Sequence, residues 1–375
     1  MPIRVAVPRE TIAGEHRVAV VPDVAEKFTK NGVRVILEKG AGDSSFFPDS
    51  DYDDIAFVDS AKELYRQADV ILKVQPPTIE EIALIPEGAL VIGFMQPHRE
   101  PERILALRDR NITALAMELV PRISRAQSMD ALSSQASIAG YKGALMAADL
   151  AAQFFPMLTT AAGTIRPAKV LIIGAGVSGL QAIATARRLG AMVEAYDVRK
   201  VTKEQAESLG AKFLELNVDA AGEGGYAREL TEAEKHHERD MLANHVAGAN
   251  AVVAAAAIPG KPSPQLVTKD MVERMRPGSV VIDLASEGGG NCELTKPGKT
   301  VHHRGVVIHG PLNVPSMLPV HASEMYSRNL YNLLQLMIVD GELKPDWDDE
   351  VLAGSTLTRD GKILHEPTRQ AVEGD

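Results

Sequence analysis

Short apolar runs alternate with amphipathic stretches along most of this chain. In the first third, residues 3–7, 33–37, 70–74, 90–94 and 113–116 are rich in β-branched side chains. Such runs are typical of strands buried on both faces. Between several of them, residues 24–31, 60–67 and 102–110 carry helical patterns. The alternation predicts a mostly parallel sheet with helices on its faces.

A long stretch rich in Ala, Met and Leu, residues 126–155, is predicted as one helix that ends near Pro156 and bridges two domains. Ala139, Gly140 and Gly143 give it small surfaces where a second backbone can approach. The strand–helix alternation then returns. An apolar run at 169–173 is followed by a helical segment and a second apolar run closing on Asp197. A helix at 202–209 and strands at 213–216, 251–256, 280–284 and 306–308 come next. The polar stretch 217–231 holds Gly222, Gly224, Gly225 and Tyr226, a composition that suits a functional loop. A helix at 322–338 leads to a tail with the turn Arg359-Asp360-Gly361. That tail has too little apolar sequence to fold alone and is expected to pack back on the first domain. The expected fold is α/β: two Rossmann-like, doubly wound parallel-sheet domains joined by a long helix, with a cofactor in the cleft. Their expected extents are residues 1–135 with 321–375, and residues 136–320.

Only the second domain carries a glycine fingerprint, G-x-G-x-x-G at Gly174, Gly176 and Gly179. Each part has a physical task in binding a dinucleotide. Gly174 permits the tight turn off the strand, Gly176 lets backbone approach a pyrophosphate, and Gly179 lets the helix pack close to the sheet. The helix N-terminus offers unpaired N–H groups to the phosphates. Asp197 follows at the spacing of an acid that accepts hydrogen bonds from an adenosine ribose. Strand, glycines, helix, strand and acid in this order are far more specific than a glycine triplet alone.

Composition narrows the function classes. The 375-residue chain has a net charge of −10, which argues against nucleic acid and against adhesion to an anionic membrane surface. Its one cysteine, Cys292, excludes an intrachain disulfide and reads as a small packing residue. The histidine pairs His236-His237 and His302-His303 lack metal-site spacing, and no metal is expected. No apolar run is long enough to span a bilayer. With a strand-like start and no signal peptide, a cytoplasmic location is expected.

Residues 121–135 are unusually polar for a domain junction. Gln127, Asp130 and Ser133/Ser134 recur at helical spacing, with Arg122 just upstream. They read either as a solvated helix face capped by Ser124 or as a polar cluster recognising the nicotinamide end of a cofactor. Arg199 reads either as a solvent-screened cation or as a partner for a 2′-phosphate. Asp197 would repel that phosphate and favours NAD(H). Arg17 and Lys73 read either as carboxylate-substrate binders or as structural ion-pair partners.

On these residues the chain closely resembles the NAD(H)-binding domain I of proton-translocating nicotinamide nucleotide transhydrogenase. The likeness is most specific at 121–135, 174–184 and 258–264, with 224–227 and 289–293 adding to it. The resemblance implies that Arg122, Asp130 and Ser133 lie near the nicotinamide carboxamide and ribose, with Ile123 and Ser124 along the same edge. It implies that Gln127 lies where two nucleotides meet, that Val177 covers the pyrophosphate turn, and that Asp197, Val198 and Arg199 hold the adenosine ribose. Gly225 and Tyr226 would belong to a loop closing over nucleotide, and Ala257 stands where the family packs a larger apolar residue. It further implies a homodimer, hydride transfer to NADP(H) on a partner domain, and a separate transmembrane subunit that carries protons. The chain would sit at the cytoplasmic face of the inner membrane through those subunits, with no direct insertion. Alanine dehydrogenase, similar in fold, is the alternative, and Arg17 and Lys73 match its carboxylate-binding positions. Its catalytic His is missing after residues 90–94, His98 falls past the expected place, and its catalytic Asp is replaced at Ser286-Glu287-Gly288.

Overall fold

Central strands in this protein are apolar on both faces, and each face has its own core. The computed structural model describes residues 2–215, 228, 230–257 and 261–374. The chain divides into two units, Met1–Gln135 with Ser316–Asp375, and Ala136–Pro315.

The first unit is built on an eight-stranded sheet. Its order is Lys362–Ile363, Thr356–Arg359, Thr113–Ala116, Leu90–Gly93, Val70–Leu72, Arg4–Val7, Arg34–Glu38, Ala56–Val58. The six strands from the amino-terminal segment are all parallel. Along Arg4–Val7, Val5 and Val7 enter one core with Phe28, Tyr326 and Leu330. Ala6, pointing the other way, enters a second core with Ile36, Leu64 and Ile71. The carboxy-terminal segment completes this sheet. Thr356–Arg359 pairs antiparallel with Thr113–Ala116 and with Lys362–Ile363. Asp360 (φ 50°) and Gly361 (φ 67°) supply the two left-handed residues that so tight a hairpin requires.

The second unit holds a seven-stranded sheet in the order Lys212–Leu214, Met192–Tyr196, Lys169–Ile173, Ala251–Ala254, Val280–Asp283, Val306–His309, Thr300–His303. Only the edge strand Thr300–His303 is antiparallel among these. In both units the parallel strands follow the order third, second, first, fourth, fifth, sixth. This is the doubly wound Rossmann order, in which ligands bind beyond the carboxyl end of the first strand. Val170 and Ile172 face one core, Leu171 and Ile173 the other.

The predicted 126–155 helix is shorter than expected. Ser124–Met129 is a 3-10 helix, and the α-helix runs Ala131–Leu150. Its small residues do allow close approach. A Cβ on Gly140 would stand 2.0 Å from the Ser178 carbonyl oxygen, and one on Gly143 would stand 2.9 Å from Leu284 Cδ1. A two-stranded antiparallel hairpin, Leu158–Thr160 with Gly163–Ile165, follows. Among the described residues no helix is long and apolar enough to cross a membrane.

Candidate functional site

The fingerprint turn sits at the carboxyl end of Lys169–Ile173. Gly174 has φ 91°, and a Cβ there would lie 2.9 Å from Ala255 C and Ala256 N. Backbone conformation and the neighbouring strand's exit both demand glycine. Gly179, in the first turn of the helix Val177–Arg188, would bring a Cβ to 1.8 Å from the Gly174 carbonyl oxygen. Gly176 is different. Its backbone is extended, and among the described residues a Cβ would meet only Arg199 Nη2, at 3.6 Å. Nothing else among them stands within 4 Å of that position. Gly176 provides no side-chain cap, and a helix N-terminus of this kind presents its first N–H groups to an anion. Exposed Val177 is the first helical residue. Beside it, Ser178 Oγ is buried without a hydrogen-bond partner among the described residues, a donor that the sequence pattern does not single out.

Asp197, at the end of Met192–Tyr196, is 8% exposed. One carboxylate oxygen accepts from Ala175 N at 2.8 Å, which ties the acid to the fingerprint turn. Arg199 does not behave as a solvent-screened cation. Its guanidinium grips Asp197 through Nε at 2.8 Å and Nη2 at 2.7 Å. Val198, half-buried between them, packs on the adjoining core. Gly174, Gly176, Val177, Gly179, Asp197 and Arg199 thus form one constellation within the second unit.

The polar stretch belongs to the first unit and is not a single α-helix. Gln127 lies in the 3-10 turn, while Asp130 precedes the α-helix and acts as its cap. Asp130 Oδ1 accepts from Ser133 N at 2.9 Å, and Oδ2 accepts from Ser133 Oγ at 2.6 Å. Ser124, read as a possible cap, makes no side-chain cap in this turn and is exposed. Helix Pro319–Gln335 fixes the turn: Asn329 Nδ2 donates to Ser128 O at 2.8 Å, and Ser134 Oγ donates to Asn329 Oδ1 at 2.7 Å. Ala126 and Met129 are buried in the core below. Arg122, Ser124 and Gln127 are left exposed, with Ile123, Asp130 and Ser133 half-buried.

Ala257 is exposed just past Ala251–Ala254. The loop leading to it is clamped by Asn291, a fully buried residue whose role is not legible in the sequence. Asn291 Oδ1 accepts from Ala256 N at 3.0 Å, and Nδ2 donates to Ala256 O and Pro264 O, both at 2.8 Å. Gly225 and Tyr226 lie outside the described residues. Neighbouring Cys292 is buried, and burial pushes its thiol up to about 11. It therefore stays a neutral packing residue.

Arg17 and Lys73 are both engaged by protein carboxylates. Arg17 is 4% exposed; Nη2 meets Glu15 at 2.6 Å and Nη1 donates to Gln135 at 2.8 Å. Lys73 is 1% exposed, between Glu10 at 3.4 Å and Glu81 at 3.0 Å. Burial alone would lower the Lys73 pKa, but the two carboxylates outweigh it and raise it, so the ammonium keeps its proton. Glu10, Glu15 and Arg17 also line an open pocket of about 380 Å³ with Lys39, Asp43 and Asp49. His98 is exposed, buried Ser286 donates its hydroxyl to Pro311 O, and Glu287 accepts from Asn313 N at 2.7 Å.

Comparison with known proteins bears on family and fold. Residues 6–139 match the family description "Alanine dehydrogenase/PNT, N-terminal domain", and residues 143–366 match "Alanine dehydrogenase/PNT, C-terminal domain". The chain is 45% identical over 377 residues to the first part of the NAD(P) transhydrogenase alpha subunit of Rhodospirillum rubrum, covering 97% of this chain and 98% of the relative. Its fold matches the crystal structure of transhydrogenase from Sinorhizobium meliloti with a TM-score of 0.86. That match has 41% identity and covers 97% of this chain and 99% of the other. Alanine dehydrogenase of Bacillus subtilis is further away, 30% identical over 383 residues, with 96% and 93% covered.

Proposed function

This chain belongs to the alanine dehydrogenase/PNT family, and from that premise we propose that it is the NAD(H)-binding subunit of a proton-translocating NAD(P) transhydrogenase. The observation that carries the proposal is the near-full-length identity of 45% to a transhydrogenase alpha subunit, against 30% to an alanine dehydrogenase. The cleared space at Gly176 beside an uncapped helix N-terminus fits a pyrophosphate. Asp197, Val198 and Arg199 take the adenosine ribose, and Val177 covers the phosphate turn. In the first unit, Arg122, Asp130 and Ser133 orient the nicotinamide carboxamide and ribose, with Ile123 and Ser124 along the edge. Gln127 stands where the two nucleotides meet. Ala257 takes an apolar contact with the nucleotide in this reading, and Gly225 and Tyr226, outside the described residues, are assigned to nucleotide binding by the family likeness alone.

The chemistry supplied by bound nucleotide is hydride transfer, directly between NAD(H) on this chain and NADP(H) on a partner. Such transfer asks no side chain to give or take a proton. The residues contribute orientation and exclusion of water, the two requirements for holding reacting rings in near-attack geometry. The alanine dehydrogenase reading needs an acid/base instead, and the ion pairs of Arg17 and Lys73 favour their structural role.

The partners in this reading are a second copy of the chain, an NADP(H)-binding subunit and a transmembrane subunit that moves protons. Through them the chain is held at the cytoplasmic face of the inner membrane. A solvated two-stranded hairpin is marginal on its own. Leu158–Ile165 carries Ile165 45% exposed and is preceded by Phe154 (56%) and Met157 (63%), which supports the homodimer. The deciding experiment mixes this protein with a transhydrogenase NADP(H)-binding domain and follows hydride transfer from NADH to an NADP analogue. Absence of transfer despite measured NADH binding overturns the proposal. Alanine-dependent reduction of NAD by the chain alone would favour the dehydrogenase.

A further inference from the structure

Hydrogen bonds join residues far apart in the chain to the turn that carries Gln127. Arg17 is held by Glu15, with Nε donating to Oε1 at 2.8 Å and Nη2 meeting Oε2 at 2.6 Å. Its Nη1 donates to Gln135 Oε1 at 2.8 Å. Gln135 Nε2 in turn donates to Ala322 O at 3.1 Å and to Ser134 Oγ at 3.3 Å. A guanidinium only donates, so the Gln135 amide can face it one way round. Ser134 Oγ donates to Asn329 Oδ1 at 2.7 Å, and Asn329 Nδ2 donates to Ser128 O at 2.8 Å. Ser128 is the residue after Gln127 in the 3-10 turn. Arg17, Gln135 and Asn329 are all buried, so breaking a link strands a polar group away from water. The Arg17 end is anchored on both sides: His16 N donates to Ser316 Oγ at 2.6 Å and Val18 N to Ser323 Oγ at 3.0 Å. The turn needs such support, because Ile123, its N-cap residue, provides no side-chain cap. Burial of Ala126 and Met129 holds it down without direction, and the bond to Ser128 O orients it.

We propose that Gln135 is a positioning residue for hydride transfer. It carries the fixed place of Arg17 through Ser134 and Asn329 to the turn, and so sets where Gln127 stands. The proposal rests on the reading of Gln127 as the residue at the meeting of the two nucleotides. Gln135 is itself buried and serves no nucleotide contact in that reading, so its loss displaces Gln127 without removing a bond to NAD(H). A misplacement of about 1 Å costs on the order of a hundredfold in rate. Asn332 Nδ2 also donates to Ser128 O, at 3.1 Å, and keeps part of the hold on the turn. A loss of about tenfold is therefore expected.

The test mixes the full chain with a transhydrogenase NADP(H)-binding domain and measures hydride transfer from NADH to an NADP analogue. The NADH dissociation constant is measured separately. Gln135→Met keeps the length of the side chain and removes the amide. Transfer should slow about tenfold, while the NADH dissociation constant stays within about twofold of the wild type. The same change made in a Gln127→Ala background should alter transfer by less than about twofold, because no amide remains there to be placed. A purely structural role for Gln135 would slow both backgrounds alike. Asn329→Ala opens the path at its other end and answers the same question should Gln135→Met not fold. It should slow transfer to a similar extent, again only while the Gln127 amide is present. Wild-type transfer rates in these variants, or equal slowing with and without the Gln127 amide, overturn the proposal and leave the transhydrogenase reading intact. A wild-type chain that binds NADH yet transfers no hydride overturns both.

Discussion

A Cβ at position 179 would stand 1.8 Å from the carbonyl oxygen of Gly174. The first turn of the fingerprint helix therefore rests directly on the turn that leaves the strand. Gly179→Ala must push helix and turn apart. An overpacking cost of about 2–3 kcal/mol is expected in urea denaturation, together with a large loss of NADH affinity by titration.

Gly176→Ala should separate these two effects. Its backbone suits any residue, and the nearest atom, Arg199 Nη2, lies at 3.6 Å. Stability should change by less than about 1 kcal/mol, while a methyl group in the phosphate space weakens NADH binding. Equal NADH affinity for the variant and the wild type would remove the pyrophosphate from this position.

Gln127 is exposed on a 3-10 turn that Asn329 fixes through Ser128. Gln127→Asn shortens the side chain without disturbing that anchor. Hydride transfer to a partner-bound NADP analogue should slow far more than NADH binding weakens. Parallel losses in both would make Gln127 an ordinary NAD contact.

Asp130 has two separable tasks. Asp130→Ala removes the cap that receives Ser133 N and should cost about 1 kcal/mol of stability. Asp130→Asn can still cap, so its melting temperature should stay near that of the wild type. A fall in transfer rate in the Asn variant would then report on nicotinamide orientation. Wild-type rates there would leave Asp130 a cap alone.

Acid should weaken the first unit through Glu15. Burial raises the pKa of its carboxyl, but hydrogen bonds and charge from Arg17, with the Gln75 amide, outweigh this and hold it at about 2, against an ordinary 4.5. A depressed folded pKa contributes stability above pH 4.5 that is lost as pH falls toward 2, about 3 kcal/mol for a shift of this size. Glu118, raised by burial, works with the opposite sign and gives up its contribution as pH rises through its folded pKa. Melting temperatures of Glu15→Gln should lie below the wild type at neutral pH, with the gap narrowing below pH 4.5 and closing only as pH falls to about 2. A constant difference across that range would rule out the linkage.

The central strands were legible because burial on both faces leaves an unbroken apolar run. Residues 113–116 were read with their observed bounds, Thr113–Ala116. Strands without that signature escaped. Ala56–Val58 has three residues, Thr300–His303 ends in two histidines at a sheet edge, and Leu158–Thr160 is largely exposed. In the candidate site, the fingerprint was readable because each glycine answers a local backbone demand. The 121–135 stretch passes for one helix because 3-10 and α turns both repeat polar residues at similar spacing. Asp130 followed by Ser133 was the cap signal available there. Asp-Val-Arg at 197–199 lies past the strand Met192–Tyr196 and bends at Val198, and that bend brings Arg199 N to 2.9 Å from Asp197 Oδ1. That Arg199 fills the acid's remaining acceptors depends on burial, which periodicity does not report.

The carboxy-terminal hairpin also imposes an order on synthesis. Thr358 Oγ1 donates to the Ile112 carbonyl across a separation of 246 residues. On the ribosome, Ala136–Pro315 emerges entire before the strand Thr356–Arg359 exists, so the second unit can fold while the first waits. During that interval Thr113–Ala116 presents a bare backbone edge, the kind of surface that recruits a strand from another nascent chain. Polypeptides that stop short of Thr356 keep that edge open and should gather into aggregates even though their dinucleotide fold is whole.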